Sequence, residues 1–150
     1  MFILHRLLPW LYASVTGFIT ASTSHSQFVL SRLTSLGIDI PLRVRVLSTF
    51  DDIIGLSLTY LPILAIGLAL GFSCAHWLAW KLPHQRKILF ALAGFCAVET
   101  ILLCMYPIME ITLIAGARSW GGLIAQGLSG ALAGLIFVAT TPTKTSQQST

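Results

Sequence analysis

Glu99 is the residue of this sequence best placed to do chemistry, because it is the one carboxylate in the middle of a long apolar segment. An ionised carboxylate at the centre of a bilayer costs about 2.5–3.5 kcal/mol on insertion scales, so we expect the side chain to face the interior of a helical bundle. Two roles are open. A protonated glutamate can donate one hydrogen bond between helices, worth roughly 1–2 kcal/mol. It can also relay protons or cations, which needs an aqueous path to one membrane face.

Helical geometry predicts which other polar residues lie at the depth of Glu99. This residue is eleven positions past Ile88, which places it roughly 16 Å into the membrane. The same depth is reached near Thr16 in the first apolar segment and between Gln126 and Ser129 in the last. The sequence therefore predicts a polar mid-membrane cluster of Glu99, Thr100, Gln126, Ser129 and Thr16.

Arg118 is a second candidate binding residue. It lies in the sequence GARSWGG, directly before the last apolar segment. The N-terminus of a helix presents backbone N–H groups that favour anions. We therefore expect a contact between Arg118 and an anionic lipid headgroup.

The remaining residues predict neither catalysis nor a cofactor. The sequence contains no GxSxG, HExxH or Walker motif. Cys74 and His76 could supply two metal ligands, but no further pair at suitable spacing completes a site. The three cysteines form no CxxC pair and suggest no disulfide framework. We expect no enzymatic activity, no metal and no cofactor.

The composition indicates a membrane protein. Of the 150 residues, 55% are hydrophobic and only 9% are charged, whereas a water-facing surface needs about 25–35% charged residues. The net charge of +4 comes from scattered lysines and arginines, which argues against a nucleic-acid interface and fits loops beside anionic lipid. The lipid bilayer is therefore the partner that the composition implies.

Four apolar segments carry the elements that must position these residues. A bilayer core about 30 Å thick needs roughly 20 helical residues. The sequence thus predicts an all-α bundle of four transmembrane helices in one domain, residues 1–140, with a polar disordered tail at 141–150. The predicted spans cover residues 7–22, 53–80, 88–109 and 120–139.

Two parts of this scheme allow alternatives. The first span is short, and its start also fits a cleaved signal peptide. Residues 26–36, between the first and second spans, fit an interfacial amphipathic helix or an ordered loop over the bundle. Thr49 to Asp52 form the predicted N-cap of the second span, with acids in the first turn. This span is longer than the bilayer requires, so we expect tilt, a bend near Pro62 or an extension beyond the membrane.

Small residues at four-residue spacing give two spans smooth faces on which helices can approach closely. These faces can pack within one bundle or between copies of the chain. The predicted packing residues are Gly67, Gly71 and Ala75 in the second span, and Gly121, Ala125, Gly130 and Gly134 in the last.

Taken alone, the sequence favours a non-catalytic membrane component, either an accessory subunit or a homo-oligomer that contacts itself or another membrane protein. The alternative is a small oligomeric transporter or channel that uses Glu99 in proton or cation coupling. The short polytopic form without a soluble domain favours a bacterial inner membrane. We expect both termini to be cytoplasmic, because three basic residues fall in the short link KLPHQRK.

Overall fold

The computed structural model of the chain describes residues 4–109 and 120–141. All regular structure in these two ranges is helical, which confirms the all-α class. Three of the helices, or helical stretches, are long and apolar enough to cross a membrane: Tyr60–Lys81, Pro83–Cys104 and Trp120–Thr140. The chain is therefore a helical membrane protein. Its helices are α1 (Leu4–Ser35), α2 (Leu42–Ser57), α3 (Tyr60–Lys81), α4 (Arg86–Met109) and α5 (Trp120–Thr140), with a short 3-10 turn at Pro83–Gln85.

Helix α1 is one continuous helix of 32 residues, so the structure does not separate residues 26–36 as an interfacial helix of their own. In the serine- and threonine-rich middle of α1, several hydroxyls donate to carbonyls of the preceding turn, so these polar groups have partners within the helix. Thr20 Oγ1 lies 2.9 Å from the Thr16 carbonyl oxygen, and Ser26 Oγ lies 3.1 Å from that of Ser22. The helix ends as expected at Gly37, whose φ of +86° suits a glycine after a helix.

The predicted second span is divided into two helices, which corrects its boundary and its N-cap. Residues 49–52 lie inside α2, and the chain turns at Leu58 and Thr59 before α3 begins. Pro62 accounts for the position of the break. Its ring would clash with the carbonyl group of Leu58, four residues earlier, and it has no N–H to bond that carbonyl. The bend expected near Pro62 therefore falls one turn before it.

Helices α3, α4 and α5 pack as antiparallel neighbours. A Cβ atom built on Gly71 of α3 would lie 3.1 Å from Cβ of Ala97 in α4. Helices α4 and α5 approach so closely that a Cβ on Gly94 would meet the carbonyl group of Gly130. The rings of Phe72, Phe90 and Phe137 join the three helices at the end where the α3–α4 link lies, with centroids 4.8–5.7 Å apart.

Helix α1 packs antiparallel to α5 and completes the bundle, because it also contacts α3. Gly17 lies against Ala133, and Phe28, farther along α1, lies against Gly121 at the other end of α5. The small-residue faces predicted from the sequence are therefore mostly covered within the chain, although Gly121 remains exposed beside the Phe28 ring. Gly67 and Gly71 face α4, Gly130 and Gly134 also face α4, Gly121 faces α1, Ala75 is buried, and Ala125 is half-buried.

Candidate functional site: a buried polar contact between three helices

Gln126 is the best-connected polar residue in the bundle interior. Its side chain is 1% exposed. Its Nε2 donates to the carbonyl oxygen of Ala21 in α1 over 2.9 Å, and its Oε1 accepts from the Tyr60 hydroxyl of α3 over 3.4 Å. The Gln126 amide thus has a protein partner for both its nitrogen and its oxygen. A polar side chain in the membrane interior needs such partners, because no water is present there to bond to it.

The position of Tyr60 explains how it reaches Gln126. Tyr60 is the first residue of α3 and is fully buried, with its ring 6.2 Å from that of Phe18 in α1. A buried tyrosine needs a hydrogen-bond partner for its hydroxyl. Sequence reasoning missed Tyr60, although an aromatic residue with a polar tip just before Pro62 was a usable signal.

Glu99 lies beside this contact but is not part of it. The side chain is half-buried against α5, and a Cβ atom built on Gly127 would fall 2.6 Å from Glu99 Oε1. The Gly127 N–H interacts with the carboxyl group. Oε1 is nevertheless buried without a hydrogen bond of good geometry, because an N–H inside a helix is already directed at the carbonyl four residues earlier. Glu99 therefore has an unsatisfied oxygen inside the membrane-spanning region.

The other predicted members of the cluster are not drawn to Glu99. The Thr16 hydroxyl donates to the carbonyl oxygen of Tyr12 over 2.7 Å, and that of Ser129 donates to Ala125 over 3.0 Å. Thr100 is exposed on the outside of α4. Glu99 therefore lies beside the Gln126 contact, but the five polar residues predicted at one depth do not form a single hydrogen-bonded network. The Arg118 prediction falls outside the described residues.

A second set of polar contacts joins α1 to α2. Ser26 Oγ donates to Asp52 Oδ2 over 2.6 Å, and Arg45 donates to Thr34 Oγ1 over 2.9 Å. His25 is 9% exposed. Burial lowers the pKa of His25, and the negative charge of Asp52 partly opposes this effect. Asp52, expected in an N-cap, thus lies inside α2 and accepts a hydrogen bond from α1 instead.

The opposite end of the bundle carries aromatic and basic residues. Trp77 and Trp80 are largely exposed, and Lys81 Nζ lies 4.6 Å from the centroid of the Trp77 ring. An Arg86 nitrogen donates to the Thr141 carbonyl oxygen over 3.3 Å. Tryptophan with lysine or arginine is the combination that anchors helices at a membrane surface.

Chemically, these sites offer one carboxyl group in the membrane-spanning region and one acid beside a histidine at the α1–α2 contact. In residues 4–109 and 120–141, no three histidine, cysteine, aspartate or glutamate side chains lie together as a metal site would require. Cys74, Cys96 and Cys104 are exposed on the outer surfaces of α3 and α4. No protein-family model, curated protein or solved structure matches this chain.

Proposed function

We propose that this chain is a non-catalytic, four-span component of a membrane, acting as an accessory subunit or as a homo-oligomer. The closed interior is the observation that carries the proposal. Where α1, α3 and α5 meet, Gln126 satisfies its polar atoms with the chain's own groups, and the glycines of α4 and α5 leave no room between these helices. Such an interior suits a scaffold that presents its outer surface to other membrane proteins.

The outer face of α1 supports its role as a fourth span. Its exposed residues from Leu8 to Ile19 include Leu11 and Val15, which form an apolar stripe at helical spacing. Its buried residues include Ser14, Ser22 and Ser26. Polar groups inside and apolar groups outside are the arrangement that lipid favours and water disfavours. Hydroxyls such as those of Thr20, Thr23 and Ser26 bond to carbonyls of their own helix, which lowers the cost of placing them in lipid. The buried hydroxyls of Ser14 and Ser22 accept and donate no such bond.

The surface that contacts partners differs from the one that the spacing of small residues suggested. The faces of Gly71, Gly130 and Gly134 are covered by α4 of the same chain. Contacts with another copy or another membrane protein therefore use the large outward side chains of the bundle, such as Ile66 and Leu70 of α3 and Leu128 of α5.

The mass of the native particle in mild detergent tests this proposal. The chain has a mass of 16.3 kDa. We expect light scattering, corrected for detergent, to give a multiple of this mass or a complex with a stoichiometric second membrane protein. A particle that is monomeric in detergent, and that shows no crosslinked species in native membranes, would contradict it.

Glu99 supports a second candidate, a small oligomeric transporter or channel with proton or cation coupling. The observation that favours it is the buried, unsatisfied Oε1 atom within a membrane-spanning helix, because intramembrane carboxyl groups commonly carry protons or cations. Flux of protons or monovalent cations into liposomes should then be lost in Glu99→Gln. The neighbouring exposed Thr100→Val variant is the matched control. Flux that persists in Glu99→Gln would remove the carboxylate mechanism.

The proposed location is a bacterial inner membrane with both termini in the cytoplasm. Its support is the basic link between α3 and α4, which contains Lys81, Arg86 and Lys87 beside the exposed Trp80, because short cytoplasmic loops are enriched in lysine and arginine. Reporter fusions at the C-terminus and within the link should both report a cytoplasmic position. A periplasmic signal from the link would reverse the orientation.

A further inference from the structure

Helix α2 has its polar side inside and its apolar side outside. The face toward α1 carries Arg45, Thr49 and Asp52, each of which bonds to a polar residue of α1. The opposite face carries Leu47, Phe50 and Ile54, spaced three or four residues apart. The exposed Asp51 lies at the border of this face, one helical turn from Leu47. Phe50 is 61% exposed and Ile54 is 69% exposed. A helix on a water-facing surface has the reverse pattern.

This pattern continues the outer surface of the bundle. Beyond Ile54, the exposed apolar residues pass through Leu58, at the turn, to Ile63 and Ile66 of α3. Since α3 is long and apolar enough to span the membrane, its exposed side chains lie against acyl chains. The turn after α2 contains the exposed Thr59 beside Leu58, but no charged residue separates the lipid-facing side of α3 from the outer face of α2.

A basic residue lies at the end of this apolar face that is farthest from α3. Arg43 lies on the same side of the helix as Phe50, because seven residues are close to two helical turns. It lies about 10 Å farther from α3, near the first turn of α2. This distance is comparable to the depth of the headgroup region, so a basic side chain there can reach lipid phosphate while the apolar residues below it meet acyl chains.

We propose that α2 lies in the boundary between headgroups and acyl chains, with Leu47, Phe50, Ile54 and Leu58 covered by lipid and Arg43 at the phosphate level. The occupant of this face is lipid rather than a second copy of the chain, because the same exposed surface is continuous with a membrane-spanning helix. This inference rests on the membrane-spanning arrangement proposed above. It assigns the interfacial role to α2 instead of to residues 26–36.

Nitroxide accessibility measures the environment of α2 directly. Single cysteines replace Phe50, Ile54, Ile66 or Ser31 in a background where Cys74, Cys96 and Cys104 are serine, and the protein is reconstituted in vesicles of phosphatidylethanolamine and phosphatidylglycerol. We expect labels at Phe50→Cys and Ile54→Cys to collide more with oxygen than with a water-soluble nickel complex, as at Ile66→Cys in the middle of α3. The exposed Ser31→Cys on α1 should give the opposite ratio.

The controls separate failure of this inference from failure of the proposed function. If Ile66→Cys itself reports water, the membrane-spanning arrangement is wrong. If Ile66→Cys reports lipid but Phe50→Cys reports water, α2 is not interfacial. A label at Phe50 that is immobilised and reached by neither relaxant would show that protein covers this face, which also overturns the proposal.

A second measurement uses the unmodified chain, in case the serine background does not fold. The wild-type protein in the same vesicles is photolabelled with a phospholipid that carries a diazirine on its acyl chain. We expect peptides containing residues 47–58 to be labelled as strongly as peptides from the exposed side of α3. Labelling of α3 without labelling of residues 47–58 would overturn the inference.

Discussion

Replacing Gly94 by alanine tests one of the closest contacts between α4 and α5. The added Cβ would fall on the carbonyl oxygen of Gly130 and within 2.8 Å of its carbonyl carbon. Neither group can rotate away, because both belong to the backbone of α5. Helix α5 must therefore move away from α4, and the neighbouring contacts between Val98 and Gly130 and between Phe90 and Gly134 must loosen with it.

The expected loss is about 1–3 kcal/mol of the free energy of unfolding, the usual range for an overpacked interior. Helix propensity opposes it, since alanine is favoured over glycine by about 1 kcal/mol in a helix. This gain is small here, because a membrane helix stays largely helical in its unfolded reference state. The clash should win. Gly130→Ala should cost a similar amount, because its Cβ would meet the carbonyl group of Gly94 and lie 2.6 Å from Val98 Cγ2.

Gly55→Ala is the matched control. Gly55 lies inside α2, and no heavy atom lies within 4 Å of the position that its Cβ would take. Its substitution should leave stability unchanged or raise it by up to about 1 kcal/mol. Titration of the detergent-solubilised variants with SDS, followed by tryptophan fluorescence and circular dichroism, gives the three free energies. If Gly94→Ala unfolds at the same SDS fraction as the wild type, α4 and α5 do not approach as described.

Two further predictions concern buried polar contacts. Gln126→Leu should lower the free energy of unfolding by about 1–2 kcal/mol in the same titration. Tyr60→Phe should lower it by less, because this variant loses only one long hydrogen bond of 3.4 Å. Equal stability of the wild type and Gln126→Leu would mean that the three-helix contact does not form. Stability should also fall as pH is lowered through 6.5. Burial lowers the pKa of His25 from 6.5 in the folded chain, and the charge of Asp52 partly opposes this effect. The unfolded chain therefore binds the proton first as pH falls, which favours unfolding. The loss of stability ends below the pKa of His25 in the folded chain. If the wild type shows no such loss, or if His25→Gln shows the same loss, His25 is not its source.

The sequence alone located α4 and α5 well because each is an apolar run with clear polar limits. The predicted spans 88–109 and 120–139 differ by at most two residues from Arg86–Met109 and Trp120–Thr140. Apolar length is a property of the chain itself, so it can be measured without knowledge of the fold. Apolar length does not reveal that α1 is one continuous helix, because serines and threonines interrupt its apolar run. Several of their hydroxyls bond to carbonyls within the helix, which the sequence does not show.

The candidate site was less predictable, because depth fixes only one of three coordinates. Thr16 and Ser129 lie near the predicted depth, but their hydroxyls turn back to their own helices. Whether a side chain points to a neighbouring helix depends on the rotation of each helix, which spacing within one helix does not determine. Tyr60 illustrates the same limit, since its link to Gln126 joins residues 66 positions apart.

Glu99 is the residue on which the two proposed functions make opposite statements. A role as hydrogen-bonding glue within the chain requires a partner for the carboxyl group, and Oε1 has none of good geometry. An unsatisfied polar atom in the membrane is costly. Oε1 itself is buried within the chain, so the accessory-subunit proposal implies that the rest of this half-buried side chain meets a donor from another chain. The transporter proposal implies that water or a cation does so. In the first case, Glu99→Gln should therefore weaken assembly, and the wild-type chain should carry no flux. In the second case, Glu99→Gln should abolish flux and leave the assembly intact.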